Sequence, residues 1–201
     1  MLLVLHFTLM YSETLRTFIA IELSEELRQE LRKLQQELKQ SNIDAKWVKS
    51  ENIHLTLKFL GNIDLNQIEQ TKNILKETSR QVKPFHLHLS GVGAFPKLDY
   101  PRVLWVGVDE GENETTEIAK RLEEDLEKIG FQKENRPFSP HLTLARIHGS
   151  KNKDKLKSLI QQTTFISKNK TYVDKVTLFK STLTPKGSIY NIIHQQPLFI
   201  V

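Results

Sequence analysis

The word His-Leu-Thr-Leu occurs twice in the chain, at residues 54–57 and 141–144. On a β-strand, positions i and i+2 share one face while neighbours alternate. His54 and Thr56 therefore project together, about 6.6 Å apart along the strand, and Leu55 and Leu57 project to the other side. His141 and Thr143 repeat the arrangement above Leu142 and Leu144. Each word predicts a strand with an apolar back and an imidazole-plus-hydroxyl front. Imidazole has an ordinary pKa near 6.5, so one histidine can be neutral and another protonated at the same pH. Two imidazoles flanking one phosphorus can act as general base and general acid. Threonine hydroxyls can donate to the non-bridging phosphate oxygens. The chemistry this pattern offers is cleavage of a P–O bond without a metal, with His54 and His141 catalytic and Thr56 and Thr143 holding the phosphate.

The elements that must carry these words can be read around them. Arg16 to Leu23 reads as a buried strand. Ser24 is the N-cap of a helix whose Leu27, Leu31, Leu34 and Leu38 form one apolar stripe. From Trp47 the chain is extended through His54 to Leu60, stopping at Gly61. Asp64 and Gln67 form a capping box for a second helix reaching about Arg80. Residues 85–95 alternate as a strand that breaks at its glycines. The second half repeats this order. Pro101 to Asp109 is a strand, and residues 115–129 a helix with Ile118, Leu122, Leu126 and Ile129 inward and Gly130 as the C′ residue. The second word follows, then a short helix over 154–161 and strands over 172–183 and 188–195. Strand, helix, HLTL strand, helix in each half predicts an α+β fold. Two pseudo-symmetric lobes, with mostly antiparallel sheets flanked by helices, would enclose a central cleft.

Composition narrows the class. The chain has 201 residues, 38% apolar and 26% charged, which suits one packed body. It has no cysteine, which excludes disulfides and thiolate metal sites and fits a cytoplasmic protein. Its net charge of +5 is compatible with a phosphate-bearing partner. The apolar start, residues 1–10, is half the roughly 20 residues of a membrane span and has no basic region before it. Residues 1–9 are read as an appendage from an upstream start codon, with the working chain beginning near Met10. Residues 1–15 are set outside a single bilobal domain over 16–201. The chain contains no GxxxxGK, GxGxxG or HExxH pattern, which leaves P-loop, dinucleotide-fold and zincin readings without support.

Other residues divide into cleft candidates and bystanders. Arg136, Arg146 and Arg102 flank the second word and its neighbouring strand and are candidates for the cleft. Strict alternation puts Arg146 on the leucine face unless the strand bulges. The same count puts Phe59 with the leucines, as core. His86 and His88 read as solvent-facing strand histidines without a third metal ligand. The run Glu123-Glu124-Asp125 reads as solvated helix charge.

The two words and their flanks resemble the two-histidine phosphoesterase superfamily, defined by paired His-x-Thr motifs. Within it the chain is most similar to the RNA 2′,3′-cyclic phosphodiesterases, the LigT-like or 2′-5′ RNA ligase family. RTFIAIEL looks like the first strand of that family, HLTLKFLG its first motif, PRVLWVGV its central strand and RPFSPHLTLAR its second motif. The resemblance covers about residues 16–195. It implies opening of an RNA 2′,3′-cyclic phosphate to a 2′-phosphomonoester, with reversible 2′-5′ ligation, no cofactor and no metal. By position His54 would protonate the departing 3′ oxygen and His141 would activate water. The reverse reaction exchanges these roles. The implied partner is RNA with 2′,3′-cyclic phosphate ends, such as tRNA-like fragments or small nucleotides. The protein would be a cytoplasmic monomer without membrane contact. Other enzymes of the superfamily act on 2′,5′-oligonucleotides or cyclic nucleotides, and a non-catalytic RNA-end-binding module is the remaining alternative.

Overall fold

The computed structural model describes residues 13–185 and 187–199. The first half contains β1 (Leu15–Ile21), α1 (Glu25–Lys39), β2 (Ala45–Trp47), β3 (Leu55–Ile63), α2 (Leu65–Ser79) and β4 (Phe85–Phe95). The second half contains β5 (Val103–Glu110), α3 (Glu112–Lys128), β6 (His141–Ile147), α4 (Lys153–Gln162), β7 (Thr171–Val173), β8 (Lys175–Thr184) and β9 (Gly187–Pro197). Most of the appendage predicted at the amino terminus lies outside the described residues, and Leu15 is already in β1, paired with Ile63. No helix among the described residues is long and apolar enough to cross a membrane.

The helices begin where their side chains satisfy the first free amides. Ser24 accepts from the Leu27 amide, and Asp64 and Gln67 close a full capping box. The stripe Leu27, Leu31, Leu34 and Leu38 is buried against the sheet core, as are Ile118, Leu122 and Leu126 of α3. Gly130 takes the left-handed conformation (φ +93°) that ends α3.

Each predicted lobe is one half of a single antiparallel sheet, in the order β7-β4-β5-β6-β3-β1-β8-β9, with β2 added beside β6. The halves join where β3 meets β6, through the pair Leu55 and Leu142. The internal repeat is crossed. β4, which follows the first motif, pairs with β5 of the second half, whereas β8, from the second half, pairs with β1 of the first. Each motif strand is thus flanked by elements from both halves of the chain, so neither half could bury its sheet face alone.

The strands run through the glycines that were expected to end them. β3 continues past Gly61 to Ile63, and β4 passes Gly91. Both glycines have φ +76° and sit at register shifts against β1 and β5. A positive φ lets glycine absorb a bulge where another residue would be strained.

Candidate active site

The Leu55–Leu142 pair sets the site. Antiparallel pairing at that point places His54 across from Thr143 and Thr56 across from His141. Each histidine therefore sits beside the threonine of the other motif. Directly opposite side chains lie about 5 Å apart and diagonal ones about 7–8 Å. The two imidazoles occupy one diagonal of this quartet, a separation that admits a phosphate between them. All four residues are partly exposed, while Leu55, Leu57, Leu142 and Leu144 are buried behind them.

The tautomers are set the same way in both halves. His54 Nδ1 lies 2.8 Å from the Asn52 carbonyl oxygen, and His141 Nδ1 lies 2.7 Å from that of Ser139. A carbonyl can only accept, so Nδ1 carries the proton in each ring and Nε2 is left to face a substrate. The environments then diverge. Phe18 stacks on His54 at 4.7 Å and Tyr190 meets it edge-on at 5.3 Å. Burial among these rings pushes the His54 pKa down to about 4, against the opposing pull of its hydrogen bond to Asn52, and the positive charge of Arg28 adds to the depression. Among the described residues His141 has one aromatic neighbour, Phe95, edge-on at 5.0 Å. The Asn52 side chain also donates to the Ser188 carbonyl at 2.8 Å, tying the β8–β9 hairpin that carries Tyr190 to the segment holding His54.

Both motif strands bulge at the same place, and the bulges overturn the simple alternation. Along β1, Ala20 pairs with Thr56 and Ile19 with Lys58, leaving Leu57 unpaired. Along β5, Trp105 pairs with Thr143 and Leu104 with Ala145, leaving Leu144 unpaired. Two consecutive residues therefore turn inward in each strand, and the next residue returns to the histidine face. That residue is Phe59 in β3 and Arg146 in β6. Phe59 is 62% exposed, so it is not the core residue its spacing predicted. Arg146 is exposed on the side of His141 and Thr143. Buried Gln35 of α1 holds the second bulge, its Nε2 donating to the carbonyls of Leu144 at 2.9 Å and Val48 at 2.8 Å.

Arg136 and Arg102 are the other residues predicted for the cleft. Arg136 binds Glu134 through Nε at 3.1 Å and Nη2 at 3.0 Å, and its guanidinium holds the Glu134 carboxyl down to about 2. Arg102 is exposed at the head of β5, where its carbonyl accepts from Ile147 N, a residue facing the core. Two bystanders are also engaged. Glu123 accepts from Lys58 Nζ at 2.6 Å and from the Glu134 amide at 2.6 Å, so it is not solvated helix charge. His88 is only 16% exposed in its side chain; Nδ1 lies 2.7 Å from Asp109 Oδ1 and Nε2 lies 2.7 Å from the Ser167 carbonyl. Both partners accept, so the ring is held as an imidazolium. Burial would lower its pKa, but these bonds and the Asp109 charge outweigh burial and raise it.

Phe18, Phe59, Tyr190 and Asn52 are the site residues that spacing alone did not reveal. Phe59 has a visible signal after the fact: it occupies the position after the bulge that Arg146 occupies in the other copy.

An antiparallel sheet that joins two His-x-Thr strands on one face defines a two-histidine phosphoesterase. The family model described as LigT like Phosphoesterase matches the chain twice, at residues 21–105 and 106–190, one motif in each copy. The chain belongs to this family. A protein of Methanothermobacter thermautotrophicus named RNA 2′,3′-cyclic phosphodiesterase is 37% identical over 175 residues, covering 87% of this chain and 94% of that relative. One of the same name from Methanocaldococcus jannaschii is 36% identical, covering 90% and 99%. Among solved structures, TT0787 of Thermus thermophilus superposes with a TM-score of 0.76 at 26% identity, covering 91% of this chain and 97% of that one. Escherichia coli LigT complexed with 3′-AMP superposes with a TM-score of 0.75 at 24% identity, covering 92% and 99%, and shares the fold.

Proposed function

We propose that this enzyme is an RNA 2′,3′-cyclic phosphodiesterase that opens the cyclic phosphate to a 2′-phosphomonoester with His54 and His141 as its acid–base pair. The observation that carries the reading is the quartet at the β3–β6 junction, where two imidazoles with free Nε2 atoms lie diagonally across two threonines. The relatives named for this reaction support it. In the proposed step, water attacks phosphorus opposite O3′. The new P–O bond forms as the P–O3′ bond breaks. One imidazole takes a proton from water through Nε2, and the other protonates O3′. Thr56 and Thr143 donate to the non-bridging oxygens, and Arg146 adds positive charge beside them.

The unequal surroundings favour one assignment of roles. Burial beside Phe18 and Tyr190 holds the His54 ring neutral at pH 7, and a neutral imidazole takes a proton rather than gives one. His54 is therefore the proton acceptor from water and His141 the donor to O3′. This reverses the order that family resemblance implies. In ligation, a 5′-hydroxyl at the RNA end would take the place of water.

The test is incubation with a nucleoside 2′,3′-cyclic phosphate in EDTA, with product identification. The 2′-phosphate is expected. No turnover, or a 3′-phosphate product, would overturn the reading. The acid–base order is checked separately by following both imidazoles by NMR titration with the product bound. Protonation of His54 before His141 would reverse the assignment.

A further inference from the structure

Lys46 of β2 stands directly across from Arg146 of β6, with Trp47 across from Ala145 on one side and Ala45 across from Ile147 on the other. Opposite residues of an antiparallel pair share a face. Trp47 and Ala45 pack against the core, so Lys46 shares the face of Arg146, and both are exposed. Among the described residues neither forms an ion pair. The neighbouring acid, Asp44, lies against Gly149. Like charges directly opposite each other destabilise a sheet. The bulge held by Gln35 is what turns Arg146 onto this face. Two cations without a counterion, built into the ladder on the histidine face, form a site for an anion outside the protein.

We infer that Lys46 and Arg146 together bind a further backbone phosphate of the RNA, one nucleotide before the terminal phosphate held by the quartet. The site lies roughly 7 Å beyond Thr143 along β6, within reach of the next phosphate of a chain whose end sits between the histidines. Arg146 serves both phosphates, and Lys46 serves only the second. The inference rests on the quartet as the terminal-phosphate site. It predicts that the protein distinguishes an RNA end from a mononucleotide by charge at a position that touches no base.

The test is direct binding, measured by calorimetry, so it does not depend on turnover. The probes are a nucleoside 2′-phosphate, the same nucleoside with an added 5′-phosphate, and a dinucleotide ending in a 2′-phosphate. The native protein should bind the dinucleotide about tenfold more tightly than the nucleoside 2′-phosphate. Lys46→Gln should remove most of that gain and lower the slope of log affinity against log salt by about 0.7, the value for one phosphate contact on a single strand. Lys46→Arg should restore both. Equal affinity for the first and third probes in the native protein would overturn the inference, as would a gain that survives Lys46→Gln. A gain with the 5′-phosphate probe and none with the dinucleotide would assign the pair to mononucleotides and overturn the RNA reading. Failure of the cyclic phosphodiesterase assay would strike the proposed reaction while leaving this comparison of affinities intact.

Discussion

The two halves of the site start from the same four residues and end in different solvents. His54 is sheathed by Phe18 and Tyr190, with exposed Phe59 further along its strand. His141 has Phe95 at one edge, with Arg146 further along its strand and Lys46 opposite Arg146 on β2. Phe59 and Arg146 follow equivalent bulges, so one backbone device presents an aromatic ring in one half and a guanidinium in the other. The buried residue before each differs too: Lys58 is paired with Glu123 in the first half, and Ala145 is apolar in the second. An imidazole buried among rings is held neutral, as His54 is. Near-symmetry supplies two like groups, and their unlike neighbours are what the proposed pair of opposite proton transfers would use. Under the proposed function the aromatic half would stack a base and the cationic half would follow the backbone.

The comparison can be broken most directly by removing the histidines. His54→Ala and His141→Ala should each lower kcat for cyclic phosphate hydrolysis by about 10³-fold, with the far-ultraviolet circular dichroism unchanged. Near-native turnover by either variant would remove that half from the chemistry. The next effect is on stability. The pKa of His54 falls from 6.5 to about 4 on folding, so the unfolded chain binds the proton first. The stabilisation is full above pH 6.5, falls as pH drops toward 4, and amounts to about 3 kcal/mol. Subtracting the pH profile of His54→Gln from that of the native protein, by urea unfolding, should isolate this slope. A flat difference would mean the ring is not buried neutral.

Phe59→Ala and Arg146→Ala probe the equivalent positions against each other. Each should weaken substrate binding by about 1–2 kcal/mol, but the Arg146 effect should shrink with added salt and the Phe59 effect should not. The same salt dependence for both would erase the distinction between the halves. The smallest effect is expected outside the site. His88 is held protonated between Asp109 and the Ser167 carbonyl, and its raised pKa gives stability that is present below pH 6.5 and lost as pH rises through the folded value. His88→Gln should cost about 1 kcal/mol at pH 6 and less at pH 9, read by thermal unfolding.

The chain order of strands and helices, the caps at Ser24 and Asp64 and the leucine stripe of α1 were all legible in the sequence, because each depends on neighbours within a few residues. The two motifs were legible too, since a period of two states which residues share a face. The same period misled at Phe59 and left Arg146 ambiguous. A bulge is set by the partner strand, and no residue type in HLTLKF or HLTLAR announces it. Here β1, β5 and the buried amide of Gln35 decide it. His88 and Glu123 were misjudged for a related reason, as their partners Asp109 and Lys58 lie 21 and 65 residues away along the chain. By itself the sequence determined that two imidazole–hydroxyl strands exist and which residues form their backs. The tertiary structure decided that β3 and β6 meet at Leu55 and Leu142, that rings crowd His54 and hold it neutral, and that Arg146 and Lys46 share the face of His141. Pairing register and burial are properties of contacts between distant segments, and a strand carries no local record of what will be packed against it.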